Sequence, residues 1–478
     1  MKINKVLYNF ISKEIMTFYV SNKNLIKIFI FNIIIFINII VIKNCEQTKQ
    51  YEINTYYFKL KIYFNFTFEN KIINKIRIAI YTYNLKNGGI QRISSLLVNY
   101  LYKIKIFNLY LFSQNVKENN EYNIPNKIKR ILIRKPRFIS IFKELKKKKI
   151  DILLFQFPNV YGIEKLNKLK DTKIIYFQHY SLFYWIYNNY TFFNSLYKSY
   201  QSSKYIVSLI PIENDYLFQK WGIKSILMNN FITFEYNSVI ISELSEKTIL
   251  MIGRSNDRIK RLELGIQSME YITKRINHCE MKIISNITNN YFLKLLVDDL
   301  NLENNIKFVG YSSSPEIYFK NSSLHIFSTI SESFGLVLSE TKIYGIPSIL
   351  LGLDYVSISN GGTSIIYDDK PESISKIAMK ILLNEKYKKK LGIEARISIR
   401  KFKNELLLNK WVNLLLSVYN GDKYYKALTE NEKKISETKA LNILKNQIML
   451  LKMRNPKFKD ITENNINNFS FLEYLNIN

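Results

Sequence analysis

Glycine, proline, cysteine and histidine are all scarce in this 478-residue chain, at 14, 8, 2 and 3 residues. The two cysteines, Cys45 and Cys279, form no C-x-x-C spacing, which excludes a disulfide framework or a cysteine-built zinc site. No short-period repeat is present, which excludes a solenoid. Residues 1–75 contain neither glycine nor proline, so nothing in them marks turns. What they do contain is the apolar run LIKIFIFNIIIFINIIVI at 25–42, broken only by Lys27, Asn32 and Asn38. That length is close to the minimum of roughly 18–20 residues for a membrane-spanning helix. Lysines 2, 5, 13 and 23 precede it and would keep the N-terminus cytoplasmic. No small-residue cleavage site follows, so a cleaved signal peptide fits less well. The run is a candidate single N-terminal anchor; the competing reading is an interfacial leader inflated by the chain's isoleucine.

The formal net charge of +31 would ordinarily point to nucleic acid or an anionic membrane surface. Lysine, isoleucine, asparagine and tyrosine are abundant everywhere, however, so the charge reads as a chain-wide bias and nucleic acid is not the expected partner. The dense run Lys146–Lys149 follows a helical stretch and reads as a solvated helix end. The N-x-S/T triplets at Asn65, Asn189 and Asn321 carry no weight in so asparagine-rich a chain.

With 47% hydrophobic residues and this length, two cores are expected. From Ile76 onward apolar strand segments alternate with helical periodicity. RIAIYTYN (77–84) is followed by the helical QRISSLLVNYLYK (91–103), then by DILLFQF (151–157), TKIIYFQH (172–179) and KYIVSLI (204–210). The series restarts with KTILMIGR (247–254), the helical KRLELGIQSMEYI, MKIISN (281–286), NIKFVGY (305–311), SLHIFS (323–328) and PSILLG (347–352). Alternation twice over predicts an α/β fold with two doubly wound domains, 76–240 and 246–400. An extension (1–75) precedes them, a crossover helix (401–419) follows, and a polar tail (420–478) ends the chain. The tail's ALNILKNQIMLLKM (440–453) has amphipathic spacing.

SESFGLVLSETKIYGIP (331–347) carries the chemistry. SESFG leaves a strand and LVLSETKIYG begins a helix, whose unpaired N–H groups suit a phosphate, with Gly335 letting the backbone approach it. Glu332 in the loop and Glu340 in the second helical turn could border one ligand rather than pair with each other. Gly345 and Pro347 close the helix.

E-S-F-G-L-x-x-x-E followed by T-K-I-Y-G-I-P resembles the E-x7-E signature of the family 4 retaining glycosyltransferases, whose fold is GT-B. The resemblance covers about 76–415. Gly88-Gly89, with Gln91-Arg92 after them, resembles the family's glycine-rich first loop, which faces donor phosphates and acceptor. His179 falls where the family carries a histidine near the transferred sugar. MIGRSNDRIKR resembles the strand-ending G-R with a following lysine, here Arg254 and Lys260. LMNNFI (227–232) and the helix of Trp411 resemble the interdomain linker and the returning helix. Gly361-Gly362 resembles a late donor-domain loop, although the family's D-G-x-N-G pattern is missing.

The resemblance implies two Rossmann-like domains facing across a cleft, and transfer of a sugar from a nucleotide-diphosphate donor with retention. Arg254 and Lys260 would neutralise the leaving diphosphate, Glu332 would hold donor-sugar hydroxyls, and Glu340 would bind the ribose. His179 would act beside the sugar, and Gly88, Gly89, Phe334, Gly335 and Leu336 would line the donor site. D-x-D, the metal-binding motif of the other large glycosyltransferase fold, is absent, so no metal or other cofactor is expected. The expected partners are a nucleotide sugar, a glycan or lipid-linked acceptor and a membrane surface, which places the chain on or at the cytoplasmic face of a membrane. The alternatives are a catalytically silent nucleotide-sugar-binding relative and a basic nucleic-acid-binding protein.

Overall fold

The computed structural model describes residues 75–421, apart from 87, 118–120, 157–165, 167, 183, 185–189, 256, 287–290, 313, 354, 356–360 and 367. The chain divides at Asn74 into two units, and the first lies wholly outside the described residues. The candidate anchor at 25–42 and the amphipathic stretch 440–453 therefore both lie outside them. Among the described residues no helix is long and apolar enough to cross a membrane.

Two parallel sheets organise the second unit. The first half runs β1 (Ile76–Thr82), α1 (Gly89–Tyr102), β2 (Phe107–Ser113), β3 (Lys129–Leu132), α2 (Arg137–Lys147), β4 (Ile152–Phe155), β5 (Lys173–Gln178), α3 (Tyr190–Gln201), β6 (Tyr205–Ser208), α4 (Pro211–Trp221) and β7 (Ile226–Leu227). The second half runs β8 (Thr248–Ile252), α5 (Leu262–Thr273), β9 (Glu280–Ile284), α6 (Tyr291–Asp299), β10 (Ile306–Phe308), α7 (Glu316–Lys320), β11 (Leu324–Phe327), α8 (Leu336–Ile343), β12 (Ser348–Leu351) and β13 (Thr363–Ile366). Three further helices close the described chain: α9 (Pro371–Leu383), α10 (Glu385–Ser398) and α11 (Asn404–Asn420).

The strand orders are β3-β2-β1-β4-β5-β6-β7 and β10-β9-β8-β11-β12-β13, with every pair parallel. Strands buried on both faces need apolar side chains throughout, which is why ILLF of β4 and LHIF of β11 read as continuous runs instead of alternating. In each sheet the order reverses beside the first strand, between β1 and β4 and between β8 and β11. Loops leaving these strands diverge to opposite sides there and open a crevice at the strand ends.

Four strands lie outside the apolar segments named from the sequence. β3 and β13 are half-buried edges, β7 has two residues, and β2 follows α1 with no glycine or proline between them.

The two halves are tied through the linker after β7 and through α11. The Asn404 side chain accepts from the Ile232 N–H at 3.0 Å and donates to the Ile232 carbonyl at 3.0 Å and the Tyr100 hydroxyl at 2.7 Å. Tyr100 of α1 stacks on Phe231 of the linker with ring centres 4.5 Å apart. Trp411 of α11 stacks on Phe177 of β5 at 5.4 Å, so this helix returns to the first sheet.

Candidate active site

Most of the residues named from the sequence lie at the two points where strand order reverses. Gly88 and Gly89 open α1 after β1, and His179 follows β5, one strand beyond β4. Arg254 and Lys260 lie in the loop after β8, and Glu332, Phe334, Gly335 and Leu336 lie in the loop after β11 and the start of α8.

Neither α1 nor α8 has a side chain capping its N-terminus. Gly88, which precedes α1, is extended, whereas Gly335 before α8 has φ +66, a left-handed conformation that favours glycine. The two helix starts meet: a Cβ on Gly89 would stand 3.7 Å from Cδ1 of Leu336. Phe334 is buried and packs edge-to-face on Phe402 at 5.2 Å, so its side chain anchors the loop.

Both glutamates are held by cations, and they do not pair with each other. Lys260 donates to Glu332 through a close ion pair. The β8 loop that carries Lys260 is pinned to the β11 loop: Ser328 donates to the Lys260 carbonyl at 3.0 Å, and the Ile330 N–H donates to the Ile259 carbonyl at 2.9 Å. Within that loop Asp257 accepts from the Ile259 N–H at 3.1 Å and from Arg254 at 2.7 Å. Arg254 is 72% exposed and turns to Asp257, so it stands apart from the Lys260–Glu332 pair.

Glu340 is buried on α8, and its partners come from elsewhere in the chain. Thr233 of the linker donates to it, and the Arg92 guanidinium of α1 lies 3.7 Å from the same oxygen. Burial raises its pKa, while Arg92 and the Thr233 hydroxyl oppose that shift. Neither Arg92 nor Thr233 is a candidate site residue by sequence alone. The signal for Arg92 was its place one turn into the helix that follows the glycine pair.

His179 is buried, with Nε2 donating to Gln156 Oε1 at 2.6 Å and its ring stacked on Phe177 at 5.5 Å. Burial drives its pKa down to about 3, so the ring is neutral at pH 7 and Nδ1 bears a lone pair. Gln156, the residue after β4, was not singled out from the sequence. His325 is also buried with a pKa near 3; it bonds Thr341 at 3.1 Å within the second core, consistent with a structural histidine.

Gly361-Gly362 lies away from these groups. Any side chain on Gly362 would strike the backbone of α10, and the Gly361 carbonyl accepts from buried Lys342 at 2.7 Å, so this pair serves packing. Among the described residues no group of three His, Cys, Asp or Glu side chains converges as a metal site would require.

This architecture has counterparts among solved structures. A glycosyltransferase from Rickettsia africae superimposes with a TM-score of 0.59 at 17% identity, covering 73% of this chain and all of that one. Anabaena Alr3699/HepE, crystallised with UDP and glucose, gives 0.58 at 12% identity over 72% of this chain and all of that one. The fold is GT-B. Residues 235–398 match the family described as "Glycosyl transferases group 1". They hold the whole second sheet of the GT-B pair together with Arg254, Lys260, Glu332 and Glu340. By sequence the chain is 27% identical over 168 residues to the poly(ribitol-phosphate) alpha-N-acetylglucosaminyltransferase of Staphylococcus aureus, which is 33% of this chain and 33% of that protein. The chain thus spans about a third of the length of this curated relative.

Proposed function

We propose that the chain is a family 4 glycosyltransferase that moves a sugar from a nucleotide-diphosphate sugar to a glycan, glycolipid or teichoic-acid-like acceptor, with retention of configuration and without a metal ion. One observation carries this reading: carboxylates and cations suited to a nucleotide sugar meet two uncapped helix starts where both sheets reverse their strand order. The matches to glycosyltransferases, including a neighbour crystallised with UDP and glucose, support it.

In this reading the diphosphate lies against the starts of α1 and α8, where N–H groups and the helix dipole favour an anion. Lys260, joined by Arg254 once it turns from Asp257, neutralises the charge that grows as the bond from the anomeric carbon to the diphosphate oxygen breaks. The acceptor hydroxyl forms its new bond to that carbon on the face the diphosphate leaves. Its proton passes to the departing diphosphate oxygen, so no other base is required. Glu332 holds hydroxyls of the donor sugar and Glu340 those of the ribose. Neutral His179 accepts a sugar hydroxyl at Nδ1 and is no general acid at pH 7. Closure of the two halves keeps water from the activated sugar. A membrane-bound acceptor would agree with the apolar run at 25–42 and the basic charge.

The test incubates the full-length chain with a panel of nucleotide sugars and candidate acceptors in EDTA and reads the new anomeric centre by NMR. Product with the donor's anomeric configuration is expected. An inverted product, or one formed only after a divalent ion is restored, overturns the mechanism.

A further inference from the structure

The charged groups at the candidate site are arranged as three cation–carboxylate pairs: Lys260 with Glu332, Arg254 with Asp257, and Arg92 with Glu340. Lys260 and Arg254 come from the loop after β8 and have an expected ligand in the diphosphate. Arg92 comes from the other sheet, on the first turn of α1, three residues after Gly89, and nothing in the reading so far gives it a ligand. Its guanidinium also lies over the Tyr122 ring, 5.5 Å from the centre. Arg92 thus packs on one aromatic ring and reaches α8 through one carboxylate.

Ribose hydroxyls must donate to Glu340 if that carboxylate binds the nucleoside, and a hydroxyl bound at Oε1 would compete there with Arg92, which stands 3.7 Å from the oxygen that also accepts from Thr233. A guanidinium displaced from a buried carboxylate needs a new anion, because leaving it unpaired beside the protein is costly. With the Gly89 side of α1 against Leu336, a diphosphate at the helix starts would lie within one turn of Arg92. We propose that Arg92 is a donor-binding residue that exchanges Glu340 for the donor diphosphate when the nucleoside arrives. The first half of the chain thereby adds a cation to the α1 start and His179 that it already brings to the site, so that donor binding draws the two halves together. The proposal rests on the nucleotide-sugar reading above.

The experiment measures, by calorimetry at fixed salt on the full-length chain, the affinity for UDP, GDP and ADP and for the corresponding nucleosides, in the wild type, Arg92→Gln and Arg92→Lys. Wild-type binding of one nucleoside diphosphate tests the underlying reading. If none binds, that reading fails and this proposal falls with it. Given binding, Arg92→Gln is expected to weaken the diphosphate about tenfold and leave the nucleoside equal or tighter, since a competitor for Glu340 is gone. Arg92→Lys should recover part of the loss. A diphosphate affinity unchanged in Arg92→Gln, or diphosphate and nucleoside weakened alike with no recovery in Arg92→Lys, overturns the exchange and leaves the site reading standing.

Discussion

At the residue scale the buried titratable groups set how stability follows pH. His179 and His325 have folded pKa values near 3 against about 6.5 when unfolded. A base with a depressed folded pKa leaves the unfolded chain holding more protons, so stability is full above pH 6.5 and declines as pH falls from there toward 3. Each histidine contributes up to about 1.4 kcal/mol per pH unit within that window. Urea titrations at pH 6.5 and pH 5 should therefore show the wild type losing about 2 kcal/mol more than His179→Asn, and equal losses would contradict a neutral buried ring. Lys342 shows the same sign in another window. Burial first, and Lys401 second, hold its pKa at about 7. Stability should accordingly climb between pH 7 and 10, and the climb should flatten in Lys342→Met when melting is followed across that range.

Glu332, Glu340, Lys260 and Arg254 are candidates from the sequence because the motifs that hold them are local in it. What each carboxylate meets is not. Thr233 and Arg92 lie 107 and 248 positions from Glu340, and only the fold brings them there. Gln156 was hidden for the same reason: its partner is 23 positions away, just past the end of the next strand.

At the element scale the central strands were readable because burial on both faces demands unbroken apolar runs, as in DILLFQF and SLHIFS. β3 and β13 were not, because a half-buried edge needs no such run, and β2 was masked by the Ile-Lys-Ile that joins it to α1 without a turn residue. The α8 start was readable through Gly335. Its φ of +66 gives a direct prediction: Gly335→Ala should cost roughly 1–2 kcal/mol from backbone strain, since the nearest atoms to a new Cβ lie at an ordinary 3.5 Å. Chemical denaturation checks the cost. Sugar transfer should fall further than the lost stability explains, because the same turn aims the N–H groups of α8.

At the scale of the whole molecule, α11 and the linker hold the two sheets to one another. Asn404 satisfies both backbone groups of buried Ile232, so Asn404→Leu leaves an N–H and a carbonyl without their partner. Such a loss should cost about 3 kcal/mol, read from the unfolding midpoint. The Trp411, Phe177 and His179 rings form one stacked series from α11 to the site. Loosening the helix should consequently lower turnover as well as stability. The two-sheet arrangement was legible in the repeated strand-helix alternation; the cross-sheet contacts that make it one site were not, since they join residues far apart in sequence.

In the proposed function the Lys260–Glu332 pair binds and activates a nucleotide-diphosphate sugar. Release of nucleoside diphosphate from a panel of nucleotide sugars, compared in EDTA between the wild-type full-length chain and Glu332→Ala, tests it most directly. Release from one donor that persists in EDTA and falls at least a hundredfold, about 2.7 kcal/mol of barrier, in the variant is expected. Equal release by both proteins, or release from no donor at all, would contradict it.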